Sequence, residues 1–220
     1  MKMVIYLVRH HLKMDIRSVH NVMSLVIFAL ASTYAVLQVL GGKPSPDTWN
    51  AIAWVILMFT AFNSASRVLP EDLTSVRSYM HWVVPPRTMI VARTLHQSII
   101  MSLLSVLLLF ALGLFLGNAN MGTESILGFL LGMMLTAIGL ASTLTLLSAL
   151  AARAGAGYGL TAVLGLPLII PIIMISTSFG TDLVSGASLS STVHNLYYLG
   201  GLSIAIGVYG YILFPYLWRS

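Results

Sequence analysis

Two long stretches of the chain contain no charged residue. Leu95 to Gly117 runs for 23 residues without Asp, Glu, Lys or Arg, and Ala154 to Thr181 runs for 28. An α-helix needs about 20 apolar residues to cross a bilayer, whereas the strands of a membrane barrel have about ten residues of alternating polarity. The chain is also only 8% charged, against about 25% in soluble domains. The sequence therefore predicts an all-α integral membrane protein, built as a single domain over residues 1–220.

Hydrophobic segments recur along the chain and predict six transmembrane helices, at about 22–41, 49–66, 94–117, 124–150, 157–179 and 196–217. All but one of the 11 Lys and Arg residues fall on the connections at one side, and the exception is Lys43. Positive charge favours the cytoplasmic side of a membrane, so we expect both termini in the cytoplasm. The outer connection 180–195 is expected to be a plain polar loop or a short interfacial or re-entrant helix.

The first 20 residues have the pattern of an amphipathic helix. Apolar residues step by three or four positions, at Val4, Val8, Leu12, Ile16 and Val19. Basic residues fall on the other side, at Arg9, Lys13, Arg17 and His20. This pattern predicts a helix over 1–20 in the interface of the lipid bilayer, with basic side chains near lipid phosphate. The alternative is a basic flank of the first span. The apolar run Val4–Val8 is too short for a cleavable signal peptide.

A charged segment with prolines at both ends interrupts the hydrophobic pattern at residues 69–87, LPEDLTSVRSYMHWVVPPR. Pro70 followed by two acids is typical of a helix start, and Pro85 and Pro86 end the helix by about Val84. A helix over 70–84 is about 21 Å long, too short and too polar to cross a membrane. We predict a cytoplasmic helix that docks a soluble partner, with a helix lying passively on the bilayer as the alternative. The docking candidates are Glu71, Asp72, Leu73, Val76, Arg77 and Met80.

The fifth predicted span contains LGLPLIIPIIM, in which Pro167 and Pro171 are four residues apart and share one face. Each proline removes a backbone hydrogen bond and bends the helix. The pattern is compatible with a deformable helix beside a conduit or moving interface, and equally with a static kink.

No motif indicates a catalytic, nucleotide or metal site. GGKP at 41–44 lacks the spacing of a P-loop, and GAGYG at 155–159 follows no strand. The centres of the spans hold no ionisable residue, which argues against an ion-driven transporter. His194, predicted to lie on the outer side, is either a haem ligand or an ordinary interfacial histidine. We expect no enzymatic activity and no cofactor held by a strong motif. The net charge of +5 lies beside the spans and indicates membrane orientation, not nucleic-acid binding.

These features resemble the membrane subunit of ABC-2-type transporters, and more closely the CcmB family, haem exporter protein B of cytochrome c maturation. The resemblance rests on WNAIAWVILMFTAF leading into SRVLPEDLTSVRSYMHWVVPPRTMIVAR, and on LGLPLIIPIIMISTS in the fifth span. Family motifs match Glu71–Asp72–Leu73, Pro85–Pro86 with Arg93, and Leu166–Pro167 with Pro171. After Leu73 the chain departs from the family pattern, because Thr74, Ser75 and Arg77 stand where further acids are expected.

The resemblance implies a permease-like subunit in the bacterial cytoplasmic membrane that couples ATP hydrolysis by a partner to haem export or to release of a haem-loaded chaperone. It implies a CcmA-like ATPase, CcmC-like and CcmD-like membrane subunits and a CcmE-like chaperone as partners. It also implies a homodimer within the complex, haem as cargo, and ATP bound only by the partner. The tryptophan-rich haem-handling motif of CcmC is absent from the chain. An ABC-2-type permease for lipid, glycan or drug, and a non-transporting membrane scaffold, are the alternatives.

Overall fold

Helices make up nearly all of the chain that the structure describes. The computed structural model covers residues 2–17, 19–65, 85–117, 119, 121–153 and 158–219, with the backbone alone at 19, 21, 152, 153, 158 and 216–219. The helices within these ranges are Lys2–Arg17 (α1), Val19–Leu40 (α2), Pro46–Ala65 (α3), Pro86–Phe115 (α4), Thr123–Arg153 (α5), Tyr158–Val184 (α6) and Leu189–Arg219 (α7).

Five of the described helices contain a stretch long and apolar enough to cross a membrane, namely Val22–Leu40, Pro86–Phe115, Thr123–Ala151, Gly159–Val184 and Leu189–Pro215. The predicted class, an α-helical multi-pass membrane protein, is thereby confirmed. α3 coincides with the second predicted span, 49–66, but is not among the five. Polar residues lower its hydropathy, and three of them, Asn50, Thr60 and Ser64, are buried against other parts of the protein.

Contacts between helices fix their relative directions. α3 is antiparallel to α4 and α6, and α5 is antiparallel to α6, whereas α7 runs parallel to α5, and the path from α1 to α2 follows the direction of α4. The contacts of α3 are Trp49–Gly117 and Ser64–Gln97 on the side of α4, and Asn50–Thr177 and Phe62–Gly165 with α6. The contacts of α5 are Thr136–Ser176 and Leu147–Gly165 with α6, and Gly139–Ser203 and Leu146–Gly210 with α7. Asp15 of α1 contacts His96 of α4, and Tyr34 of α2 contacts Phe115 of α4. The chain therefore passes back and forth between two ends of one bundle.

The two ends of the bundle differ in charge. One end, here called the basic end, holds α1, the end of α3, the start of α4, the end of α5, the start of α6, and the end of α7. Among the described side chains, it carries Lys2, Arg9, Lys13, Arg17, Arg87 and Arg93. The opposite end, here called the Lys43 end, carries Lys43 as its one described Lys or Arg side chain. Six of the seven described Lys and Arg side chains therefore lie at one end of the bundle.

α5 occupies the centre of the bundle. Every residue from Gly139 to Ser148 is buried, and the main apolar core forms around this helix. Its hydroxyl groups donate to carbonyls of the preceding turn, as Thr143 does to Gly139 O at 2.8 Å. Such bonds satisfy buried hydroxyls without a partner helix. The polar residues of this helix are therefore compatible with an apolar surrounding.

The expected loop or short helix over 180–195 is wrong, because the flanking helices extend into it and leave only 185–188 as a connection. α6 ends in a Schellman motif, in which Gly186, at φ +92°, donates to Leu183 O and Ala187 donates to Asp182 O. Asn195 of α7 donates to the Asp182 carboxylate at 3.3 Å. The polar residues that suggested a loop are satisfied at these two helix ends.

Candidate functional site: the basic end of the bundle

The predicted docking segment lies outside the described residues, and so do its candidates Glu71, Asp72, Leu73, Val76, Arg77 and Met80. Its two attachment points are described. α3 ends at the buried Ala65, and α4 begins at Pro86, the first helical residue, with Pro85 as its N-cap. Pro86 therefore starts the following helix, where proline's missing N–H costs no helical hydrogen bond. α4 begins eight residues before the start predicted for the third span, at 94.

The start of α4 extends well past its described contact with α3. The Gln97 side-chain amide donates to Ser64 Oγ at 2.6 Å, and both residues are buried. Ser64 is one residue from the end of α3, whereas Gln97 lies eleven residues inside α4. At 1.5 Å per residue, about 16 Å of α4 extends past this contact. The segment 66–84 therefore joins two points at different depths of the basic end.

A small apolar cluster surrounds the projecting turns of α4, and it is separate from the main core. Its buried members are Leu7, Met89, Ile90, Ala92 and Phe214. The cluster brings α1 and the end of α7 together on the start of α4. Movement of the α4 start would therefore disturb α1 and α7 as well.

A layer of ionisable groups lies beside this cluster. His96 Nε2 of α4 is 2.7 Å from Asp15 Oδ2 of α1, an ion pair when His96 is protonated. The His11 ring lies 5.4 Å from the His96 ring. On the other side of α4, the Arg87 guanidinium lies 5.2 Å from the centre of the Tyr211 ring of α7, a cation–π geometry. Sequence periodicity assigned Asp15 no role, although its spacing of four from His11 and seven from Val8 places all three on one face of α1.

The side of α1 that faces the protein is not identical to the apolar side that the sequence pattern predicted. Val4, Leu7, Val8, His11 and Asp15 face the protein and are buried or half-buried. Ile16, which the prediction placed on the apolar side, is 73% exposed. α1 is therefore packed on α4 through one face and leaves its remaining surface uncovered.

Pro167 and Pro171 both lie inside α6, which is continuous from Tyr158 to Val184. Both are exposed on the outside of the bundle, and Val163, one turn earlier, is 67% exposed. Because proline has no N–H, the carbonyls of Val163 and Pro167 have no helical donor four residues on. The two prolines thus leave acceptors on an uncovered face of a membrane-spanning helix.

The Lys43 end contains a polar contact that the sequence analysis missed. Asn50 of α3 donates to Thr177 O and to Thr181 Oγ1 of α6, each at 3.0 Å, and accepts from Trp54 Nε1 at 2.6 Å. Gly180 leaves the space that the Asn50 and Trp54 side chains occupy. A lone asparagine four residues before a tryptophan in an apolar helix is a signal that could have indicated it.

His194 lies on the first turns of α7 and is exposed. Its Nδ1 is 3.0 Å from Ser191 O, and its ring meets Tyr198 edge-on at 6.0 Å between centroids. A carbonyl only accepts, so Nδ1 carries the proton in this contact and Nε2 is the nitrogen left to bind a ligand. No group of three His, Asp or Glu side chains within the described ranges has the geometry of a metal site.

The family model described as CcmB protein matches residues 2–212 of the chain. The chain belongs to the CcmB family. Membership confirms the resemblance drawn from the segments 49–93 and 164–178, and identifies the chain as a membrane protein of haem transport and cytochrome c biogenesis. CcmB proteins are haem exporter membrane subunits within a Ccm ABC transporter complex. A search of the curated proteins found no match.

Proposed function

We propose that this CcmB protein transmits ATP-driven motion from a CcmA-like ATPase subunit into the membrane, and that this motion exports haem or releases a haem-loaded CcmE-like chaperone. The observation that carries the proposal is the construction of the basic end. The start of α4 projects about 16 Å past its contact with α3, is packed against α1 and α7, and is attached directly to the segment 66–84. A force applied to that segment would reach three helices at once.

The proposed topology has six crossings with both termini in the cytoplasm of a bacterial cell, in the inner membrane. α3 is the second crossing, since its 20 residues span about 30 Å and its ends lie at opposite ends of the bundle. Its low hydropathy agrees with a helix that is shielded from lipid on most sides by α2, α4, α5 and α6 and leaves Val55 and Phe59 exposed. The positive-inside rule then puts the basic end in the cytoplasm, where an ATPase subunit is available.

The docking surface in this proposal is a helix over 70–84. Glu71 and Asp72 stand at its positive N-terminal end and offer acidic contacts to the ATPase subunit. Leu73, Val76 and Met80 share one side at helical spacing and offer an apolar contact. The sequence of this segment and its attachment to α4 support the assignment.

The exposed proline face of α6 supports a further part of the proposal. Hydrocarbon cannot donate hydrogen bonds, so uncovered carbonyls at membrane depth favour contact with protein or with water. We place a second copy of the chain or a water-lined conduit against Pro167 and Pro171. CcmC-like and CcmD-like subunits complete the proposed complex.

The experiment that tests docking is co-expression with a CcmA-like ATPase subunit, followed by affinity purification through this chain and measurement of ATP hydrolysis. We expect Glu71→Lys with Asp72→Lys to lower the recovery of the ATPase subunit at least tenfold. The matched control is Asp47→Lys with Glu124→Lys, which makes the same charge change on exposed residues of the Lys43 end. Undiminished recovery with the first variant, or equal loss with both, would contradict the docking assignment.

The cargo is tested separately in cells. Deletion of the gene is expected to abolish c-type cytochromes, and only a chain that retains ATPase association is expected to restore them. Restoration by a double variant that has lost the association would favour a non-transporting scaffold. Normal c-type cytochromes after deletion would contradict the assignment to haem delivery for this chain.

A further inference from the structure

Three lengthwise faces of the helix α1 differ in chemistry and are consecutive around the helix axis. Its protein face, already described, packs on α4. At 3.6 residues per turn, Leu12, Ile5 and Ile16 form a second sector, with Ile5 64% and Ile16 73% exposed. The third sector, here called the basic face, consists of Lys2, Arg9, Lys13 and Arg17, all exposed. The three faces follow one another around the helix, so their directions are set once the protein face is fixed.

The one acidic residue of α1 is turned away from the basic face. Asp15 belongs to the protein face, where it contacts His96 at 2.7 Å. The cations of the basic face make no ion pair with another described residue. The basic face therefore presents four positive charges in a sector of roughly 80°, without an acid among them.

The position of α1 along the chain puts the end of the basic face beside the bilayer. The first membrane-crossing stretch begins at Val22, five residues after Arg17 and nine after Lys13. These intervals correspond to about 8 Å and about 13 Å of helix, which lie within reach of the headgroup layer for long, flexible basic side chains. Ile16 lies between Lys13 and Arg17 in sequence and is 73% exposed. Its apolar side chain can contact the hydrocarbon region of the bilayer next to the headgroup layer.

We infer that the basic face of α1 binds the headgroups of anionic phospholipids in the leaflet at the basic end. Clusters of four or more Lys and Arg residues on a membrane-adjacent helix attract anionic lipid, and charge complementarity identifies the ligand as a lipid phosphate. The adjacent exposed isoleucines favour a bilayer over an acidic soluble protein as the source of that charge. This inference is independent of ATPase docking, because no residue of segment 66–84 takes part.

The chain has no cysteine, so a single probe can be placed beside the basic face. Met14, 46% exposed and between Lys13 and Arg17 in sequence, is replaced through Met14→Cys and labelled with a fluorophore in the full chain, reconstituted in nanodiscs. Phosphatidylglycerol and phosphatidylcholine carrying the same headgroup-level quencher are compared at equal mole fraction. We expect phosphatidylglycerol to be enriched at the probe by at least threefold, and the enrichment to fall in 0.5 M salt as exposed charges are screened.

The variant Lys13→Gln with Arg17→Gln is expected to remove most of the enrichment, and Lys2→Gln, farthest from Val22, to remove least. The matched control Lys43→Gln changes an exposed lysine at the opposite end and is expected to leave the enrichment unchanged. Monodisperse elution of each variant shows that it is folded. Inorganic phosphate at 20 mM is expected to have no effect.

Equal quenching by the two lipids would overturn the inference, as would loss of enrichment in Lys43→Gln. Abolition by inorganic phosphate would assign the face to a free anion instead. Intact enrichment in the double variant, together with loss of ATPase association, would assign the face to a protein partner. In each case the outcome of the Glu71 and Asp72 experiment is read separately, so failure of one proposal is distinguishable from failure of the other.

Discussion

Gln97 of α4 donates its side-chain amide to the hydroxyl of Ser64 on α3, at 2.6 Å and in a buried site. These two helices flank the segment 66–84, so this bond fixes the distance over which that segment must reach. It is also a polar contact inside an apolar bundle. Removal of one partner leaves the other buried without its bond, which costs more than removal of both.

Ser64→Ala is expected to destabilise the protein by about 1–3 kcal/mol, because the Gln97 amide is left unsatisfied. Ser64→Ala combined with Gln97→Met is expected to recover much of that loss, because neither buried polar group remains. Thermal unfolding in detergent, followed by fluorescence-detected gel filtration, measures both. A double variant less stable than the single one would show that the bond is not the stabilising contact.

Gly180 of α6 occupies a position where a side chain has no room. A Cβ there would collide with the Asn50 side chain and approach Trp54 Nε1 at 2.8 Å. Gly180→Ala is therefore expected to separate α3 from α6 and lower the melting temperature by several degrees, through strain and the loss of the Asn50 hydrogen bonds.

Gly201→Ala provides the matched control for Gly180→Ala, since a Cβ at Gly201 meets nothing within 4 Å. It is expected to change the melting temperature little. Similar melting temperatures for the two alanine variants would show that the close approach at Gly180 does not constrain the bundle.

The contact between Asp15 and His96 fastens α1 to α4. Asp15→Ala is expected to loosen α1 and to increase trypsin cleavage at its exposed basic residues, such as Arg9, by about three- to tenfold. The reason is that proteolysis follows the population of locally opened states. Cleavage rates in nanodiscs, quantified by mass spectrometry, measure the effect. Asp47→Ala, which removes an acid at the Lys43 end, is expected to leave these rates unchanged. An equal increase in cleavage in the Asp47→Ala variant would contradict the role of the Asp15–His96 contact in holding α1 on α4.

The hydrophobic pattern predicted the helices well because a membrane span must satisfy its backbone internally over about 20 residues. It failed over 180–195, where polar residues suggested a loop. A Schellman motif at Gly186 and a bond between Asp182 and Asn195 keep that region helical up to a four-residue turn. Composition cannot distinguish polar groups satisfied at helix ends from polar groups in a loop.

The candidate site was predicted less completely than the fold. Periodicity indicated that α1 is amphipathic and grouped Ile16 with Val4 and Val8 on one apolar side. Val4 and Val8 face the protein, whereas Ile16 is exposed, because α1 packs on α4 through the face that carries Asp15. Asn50 and Thr181 meet although they are 131 positions apart. A single sequence contains no signal for such pairings, since helical periodicity relates only residues within a few turns.

Replacement of an exposed proline of α6 tests whether this helix has a static kink or deforms during function. Pro171→Ala restores a backbone donor four residues after Pro167 and is expected to stabilise the isolated protein, with a higher melting temperature, because a buried or lipid-facing helix gains a hydrogen bond. If the kink takes part in motion, the same variant lowers ATP-driven haem delivery severalfold while ATPase association stays intact. Pro215→Ala, at a proline inside α7, is the control for a general effect of proline removal. Higher thermal stability with undiminished c-type cytochrome formation would identify the kink at Pro171 as static, and would remove this face of α6 from the proposed moving interface.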